Sequence, residues 1–254
     1  MFESKIARRN LLAGVVFTIC TLFSASPLFA LGTYAEGRAV IKLTKFESSG
    51  IIFESYEGTA TVTTFDAKEN CNSDENECYT PTTESISISV RPESKAAVNF
   101  MLKNLGKQML IHYCIHRIEP IALKTDFEIL NAQPVSAGRP ADLADRHTVK
   151  KSGARRNFSV RGKILRLEER GTAVKTYEGL YKDLQRGKVH PFSITEESMA
   201  AFAFRVMQTG QPHYLGITQA YVTGFRESDF DVFEINRKDP AGGLVDEVSN
   251  PDDE

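Results

Sequence analysis

Apolar and polar residues alternate along this chain at two periods, and each period occurs twice. Ser85 to Val90 reads Ser-Ile-Ser-Ile-Ser-Val, the period-two pattern of a strand with one wet face. Directly after it Ala97, Met101 and Leu105 recur at four-residue spacing, which predicts a helix with one buried stripe. Pro92 suits the first helical position and Gly106 the stop. Further on, Thr195 offers a cap, Glu196 and Glu197 a favourable first turn and Gly210 a second stop. Val40–Leu43 and Lys163–Leu167 read as first strands, and Ile51–Tyr56 and Thr172–Tyr177 as second strands ended by Glu-Gly. Two more strands follow each helix: Met109–Ile115 then Thr125–Leu130, and His213–Ile217 through Val222 then Asp231–Ile235.

The repetition is in the letters as well as the periods. Ser89 to Lys107 lies on Ser193 to Gln211 without a gap, with seven of the nineteen positions identical. Gly50 to Gly58 returns as Gly171 to Gly179, and Phe127-Glu128-Ile129 as Phe233-Glu234-Ile235. Each copy therefore runs strand, strand, strand, helix, strand, strand, the order of an OB-type barrel. The expected fold is mainly β with one helix per repeat, arranged as two tandem OB-like five-stranded barrels. On that reading residues 32–131 are the first repeat and 157–238 the second. Residues 132–156, with Pro134, Gly138, Pro140, Gly153 and a basic bias, read as a flexible solvated linker, and 239–254 as a disordered acidic tail.

The first thirty-one residues change the picture of where the chain goes. Lys5, Arg8 and Arg9 precede an uncharged run from Leu11 to Ala35, which fits a cleaved signal peptide or an N-terminal membrane anchor. Either implies export to the cell envelope, periplasm or cell surface. Cys71 and Cys78 flank a short polar loop that a disulfide would close in an oxidising compartment, leaving Cys114 as a small buried side chain.

Tyr34-Ala35-Glu36-Gly37 and Lys175-Thr176-Tyr177-Glu178-Gly179 give the chain its one family likeness. It resembles a family of bacterial envelope proteins of unknown function with an N-terminal hydrophobic segment, a Tyr-x-Glu-Gly and a strand pair ending in Lys-Thr-Tyr/Trp-Glu-Gly. The resemblance implies an envelope address and this duplicated β layout, and brings no catalytic residues with it.

Composition narrows the function classes. At 254 residues, 41% hydrophobic and 25% charged, the chain is globular in character, and a formal charge of −2 gives no general attraction to nucleic acid. The reading therefore excludes nucleic acid as a partner, and expects a protein or a polyanionic component of the envelope or host surface, with membrane association through residues 1–31. No Gly-x-Ser-x-Gly, His-Glu-x-x-His or phosphate-cradling glycine loop is present, so a binding protein is favoured over an enzyme. The rivals are an envelope hydrolase or transferase, which needs a cleft joining His190 or His213 to Asp229 and Glu234, and a structural assembly spacer. The ligand-binding candidates are Tyr56 and Tyr177 as stacking platforms, Glu57 and Glu178 as acceptors, and the basic run Arg155, Arg156, Arg161, Lys163 and Arg166. His112, Cys114 and His116 share a strand parity that begins a soft-metal site. No fourth ligand lies nearby in sequence and the second copy has Gly216, Thr218 and Ala220 there, so neither a metal nor another cofactor is expected.

Overall fold

A computed structural model describes residues 32–50, 54–65, 79–136, 138–150, 154–171, 174–220 and 224–239, with the backbone alone at 154 and 155. The N-terminal hydrophobic segment, Cys71, Cys78 and residues 240–254, and with them the expected export segment, disulfide and most of the acidic tail, lie outside the described residues.

Strand β1 (Thr33–Ser49) pairs antiparallel with β2 (Ser55–Phe65), and β2 with β3 (Pro81–Val90). Helix α1 (Lys95–Lys103) leads into β4 (Gln108–His116), which pairs with both β1 and β5 (Phe127–Pro134). A parallel contact between Ser89 on β3 and Glu128 on β5 completes a circuit of five strands. The second half repeats it with β7 (Ala154–Arg170), β8 (Thr176–Asp183), β9 (Val189–Ile194), α2 (Glu197–Met207), β10 (His213–Ala220) and β11 (Phe230–Asn236). There β9 and β11 meet in parallel at Ser193 and Asp231, and β10 returns to β7. The described residues are thus mainly β with two helices, in the order the duplicated pattern predicts.

One strand can serve two partners because it bends. β1 shifts register between Leu43 and Lys45 and β7 between Ile164 and Arg166, equivalent places in the two copies. A bulge turns the strand, so its first part pairs with the fourth strand of its half and its second part with the second. Each circuit encloses its own apolar cluster. Ile41, Leu43, Ile88, Met101, Met109 and Ile111 fill the first; Leu167, Phe192, Ile194, Met199, Leu215 and Ile217 fill the second.

The halves are not independent. β1 also pairs with β7, Ala35 to Ala39 against Arg170 to Arg166, so a single sheet runs through both. Gly37 sits at the closest approach, where a Cβ would lie 2.5 Å from both the Glu168 Cβ and the Leu167 carbonyl oxygen. That contact is the physical reason for the glycine in Tyr34-Ala35-Glu36-Gly37. Glu168, 2% exposed, accepts the hydroxyl of the buried Tyr113 of the first half at 2.5 Å and the Nε–H of Arg170 at 2.6 Å. Arg38 reaches the other way, donating to the Phe204 carbonyl at 3.0 Å with its guanidinium 5.6 Å from that ring. The hairpin of β2 and β3 adds a third tie, laying Tyr79 4.3 Å from the ring of His190 in the second half.

Several expectations are corrected by these pairings. The stretch read as a solvated linker contributes β6 (Arg146–Thr148), which pairs with β11, and buries Leu143 in the second core. Helix α1 begins at Lys95 rather than Pro92, Thr195 bonds Asp231 at 3.4 Å instead of capping α2, and Leu105 is half exposed while Val98 takes the buried place. Gly106 and Gly210 do adopt positive φ as helix stops, +82° and +63°. The Tyr-Glu-Gly motifs open the second strands instead of closing them: β2 starts at Ser55 and β8 at Thr176.

Gly58 and Gly179 consequently serve packing and not a turn. A Cβ on Gly179 would fall 2.5 Å from Cε1 of Phe192 and 2.7 Å from the Arg166 carbonyl oxygen. Gly179→Ala is expected to lower stability by about 1–3 kcal/mol, since Phe192 is fully buried and backbone lies on the other side. Urea denaturation measures it, and a loss below about 0.5 kcal/mol would mean that the core relaxes around the methyl.

Candidate functional site

Register places chemistry at equivalent points in the two halves. In the first, Ser55 and Ser89 donate to the two oxygens of Glu57 at 2.6 and 2.5 Å, and Ser89 also accepts from the backbone of Lys124 and Thr125. In the second, Ser193 donates to Glu178 at 2.6 Å and accepts from the backbone of Ser228. Glu57 and Glu178 therefore fasten the second strand of each half to the third, where that third strand meets the fifth. A buried carboxylate needs such donors, and burial, with the Glu227 charge nearby, pushes the Glu178 carboxyl up against their pull. A second pair of clasps lies beyond: Lys124 donates to the Ser49 hydroxyl at 2.5 Å in the first half, and Arg170 pairs with Glu227 at the equivalent place in the second.

The aromatic candidates do not form a repeated platform. Tyr177 is buried, 8% exposed, edge-on to Phe204 at 6.5 Å, and Tyr56 stacks on Phe46 at 5.7 Å while packing against the first core. Both rings project inward because they share a side of their strands with Gly58 and Gly179, so Tyr177 has no face left for a ligand.

The basic run divides. Arg161 and Lys163 alternate with the buried Val160, Gly162 and Ile164, so they project from the opposite, outer side of β7, and Arg166 joins them after the bulge. Arg156 belongs to the inner parity and lies 5.3 Å over the Phe158 ring; the side chain of Arg155 is outside the described residues. Sequence reasoning missed the neighbours that register brings in. Lys182 on β8 stands directly opposite Lys163, and Tyr214 on β10 directly opposite Arg161. Beside them a shallow groove runs where the halves meet, lined by Val40, Gln108, Val135, Lys163, Val206 and Gln211.

The histidine and carboxylate pairs that a hydrolase would need are engaged separately. His190 is held between the rings of Tyr79 and Tyr181, His213 bonds the Gln211 carbonyl at 3.1 Å, Asp229 accepts from Gln219 at 2.8 Å, and Glu234 pairs with Arg146 at 2.7 Å. Burial lowers both histidines to a pKa of about 4.

The soft-metal parity on β4 acquires partners that the sequence did not reveal. Glu128 on β5 is the register partner of Cys114, and its Oε2 lies 2.7 Å from His116 Nε2, which is 3.4 Å from Cys114 Sγ. Arg91 Nε holds the other oxygen of Glu128 at 2.8 Å. On the other flank Glu36 is the register partner of Cys114 and pairs with His112 at 2.8 Å. Burial, with Glu128 and Glu36 beside it, pushes the Cys114 thiol up to about 11.

A family model described as a domain of unknown function (DUF8785) matches residues 32–139 and 153–242, both halves of the fold. No curated protein matches the chain in sequence. Among solved structures, the wild-type single-stranded DNA binding protein from Thermus aquaticus is similar at 8% identity and a TM-score of 0.24, covering 78% of this chain and 88% of that one. A deletion mutant of the same protein is similar at 10% identity and a TM-score of 0.26, covering 78% and 89%. Likeness at that level carries no argument about what this chain binds. The neighbours being single-stranded DNA binding proteins, the exclusion of nucleic acid as a partner is withdrawn. That exclusion rested on net charge, which averages the acidic tail with a strand whose outer side is basic, and so tests no single face.

Proposed function

Because the chain belongs to the DUF8785 family, whose description assigns no activity, we propose that it is an exported, envelope-located binding protein that holds a linear anionic polymer. Its two OB-like barrels, fused through β1 and β7, act as one rigid body rather than as modules on a string. The β-β-β-α-β-β order and the circuit of pairings in each half support the barrel reading. The charged start and uncharged run of residues 1–35 support export.

One observation carries the ligand class. Lys163 and Lys182 face each other across β7 and β8 with Arg161 and Arg166 on the same side of β7. Register thus lines up a stripe of positive charge along the outer side of β7 and β8, which the spaced anions of a linear polymer would complement. Tyr214 beside Arg161 adds the aromatic edge on which a base or sugar ring can rest.

Fluorescence anisotropy on the full chain tests the reading with two probes, a labelled single-stranded oligothymidine and a labelled sulfated polysaccharide. Binding of one or both is expected at low salt, with log K falling linearly against log salt, and Lys163→Glu with Lys182→Glu weakening it about tenfold or more. The probe that binds more tightly at matched charge separates a base-stacking site from a purely electrostatic one. Absence of binding by both probes, or binding indifferent to the double charge reversal, overturns the proposal.

A further inference from the structure

We propose that Cys114, His116 and Glu128 form a Zn²⁺ site on the outer side of the first half, completed by water or by the adjoining Glu36 and His112. The inference is independent of the anionic-polymer face. Cys114 and His116 are two apart on β4 and so project from the same side, opposite the buried Ile111 and Tyr113. Glu128 reaches that side because it stands across from Cys114 on β5. The three donor atoms lie within 4.8 Å of one another.

The spacing suits a tetrahedral ion. Bonds of about 2.3 Å to sulfur and 2.0–2.1 Å to nitrogen put a thiolate and an imidazole about 3.5 Å apart. Cys114 Sγ and His116 Nε2 are already 3.4 Å apart. The carboxylate must retreat from His116 by roughly half an ångström, exchanging one hydrogen bond for a metal bond. Arg91, bonded to the other carboxylate oxygen, keeps Oε2 aimed inward, the part that outer-shell partners play around metal ligands. Thiolate, imidazole and carboxylate together favour zinc over a hard cation such as magnesium. On binding, the thiol proton passes to solvent, and His116, ligating through Nε2 as a neutral imidazole, carries its N–H on Nδ1.

The second half is the internal comparison. The same register positions hold Thr218, Ala220 and Asp231, where Thr218 bonds Asn157 and Asp231 pairs with Arg226. That half closes its circuit with no cysteine or histidine in those places, so the fold itself does not require them.

The full chain with Cys20→Ser, Cys71→Ser and Cys78→Ser retains Cys114 as its one thiol. Titrated with Co²⁺ in metal-free reducing buffer, it is expected to show a thiolate-to-cobalt charge-transfer band that saturates at about one ion per chain and disappears on adding Zn²⁺. Cys114→Thr, which installs the residue of the second half, abolishes the band. His116→Ala weakens binding about 100-fold, and Arg91→Ala about tenfold. The proposal fails if the Cys114-only protein shows no such band, if Cys114→Thr keeps it, or if His116→Ala binds as tightly. Should either variant misfold, the band in the Cys114-only protein and its loss in Glu128→Gln decide the matter.

Discussion

Glu168→Ala is expected to cost about 2–4 kcal/mol. The carboxylate is 2% exposed and satisfies two groups that have little access to water: the hydroxyl of Tyr113, itself 1% exposed, and the guanidinium of Arg170. Truncation leaves a buried phenol without an acceptor and takes from Arg170 the more buried of its two carboxylate partners, Glu227 remaining, so most of the penalty falls on the orphaned phenol. Glu168→Gln keeps the shape and one acceptor oxygen, and should cost about 2 kcal/mol. Because Tyr113 belongs to one half and Glu168 to the other, both variants are expected to melt in a single transition at lower urea, with neither half unfolding first. Urea denaturation followed by far-ultraviolet circular dichroism reads all three features. A loss under about 1 kcal/mol in Glu168→Ala would show that the β1–β7 seam is held by its backbone ladder and not by this clamp.

Glu168 also shows why part of this architecture was legible and part was not. The gapless match of Ser89–Lys107 with Ser193–Gln211 is local, and the structure places its members in equivalent roles: both serines bind a carboxylate, both helices follow, and both terminal glycines take positive φ. The third match, Phe127-Glu128-Ile129 on Phe233-Glu234-Ile235, is displaced by three residues. Register sets Glu128 against Ser89 and Asp231 against Ser193, so the true counterpart of Phe127-Glu128-Ile129 is Phe230-Asp231-Val232. An odd displacement turns every side chain of a strand to the other side, so identical letters misplaced a carboxylate that chemistry would have found. The signal was available: Thr125-Asp126-Phe127-Glu128 and Ser228-Asp229-Phe230-Asp231 align without a gap once hydroxyls and carboxylates are treated as classes.

What no local pattern could supply is the pairing of strands distant in sequence. Lys182 opposite Lys163, Glu128 opposite Cys114 and Gly37 against Glu168 all depend on which strand lies next to which. The glycines of the Tyr-Glu-Gly motifs were misread for the same reason. A glycine after two polar residues suits a turn, yet here it yields space to Phe192 or to the Lys45 backbone from inside a strand. The segment 132–156 looked solvated because its apolar residues have no period of their own; Leu143 is buried in the second core, which is built from elements that come later.

Acidification should weaken this protein well above the range in which most carboxylates titrate, and His213 is the reason. Its ring is 3% exposed, with Nδ1–H donating to the Gln211 carbonyl, so the neutral form is the one the fold accommodates. Burial lowers its pKa from 6.5 to about 4; Arg139 and Arg237 push the same way, against the Gln211 bond and Asp145. Below pH 6.5 the unfolded chain takes up a proton that the folded chain refuses, so stability is fully present above 6.5 and falls until the folded ring itself protonates near 4. An interval of about 2.5 pH at about 1.36 kcal/mol each makes the loss about 3 kcal/mol. His190, lowered to about 4 between Tyr79 and Tyr181, acts in the same direction to a smaller extent because it is less enclosed. Carboxylates elsewhere also respond to acid, so the informative quantity is a difference between proteins. His213→Gln keeps a donor for the Gln211 carbonyl and removes the titration. Wild type and variant compared at pH 7.5 and pH 4.5 should converge in stability by about 2–3 kcal/mol as the pH falls, the variant losing less. A gap between the two that stays constant across that range would show that His213 is as easily protonated in the folded chain as in the unfolded one.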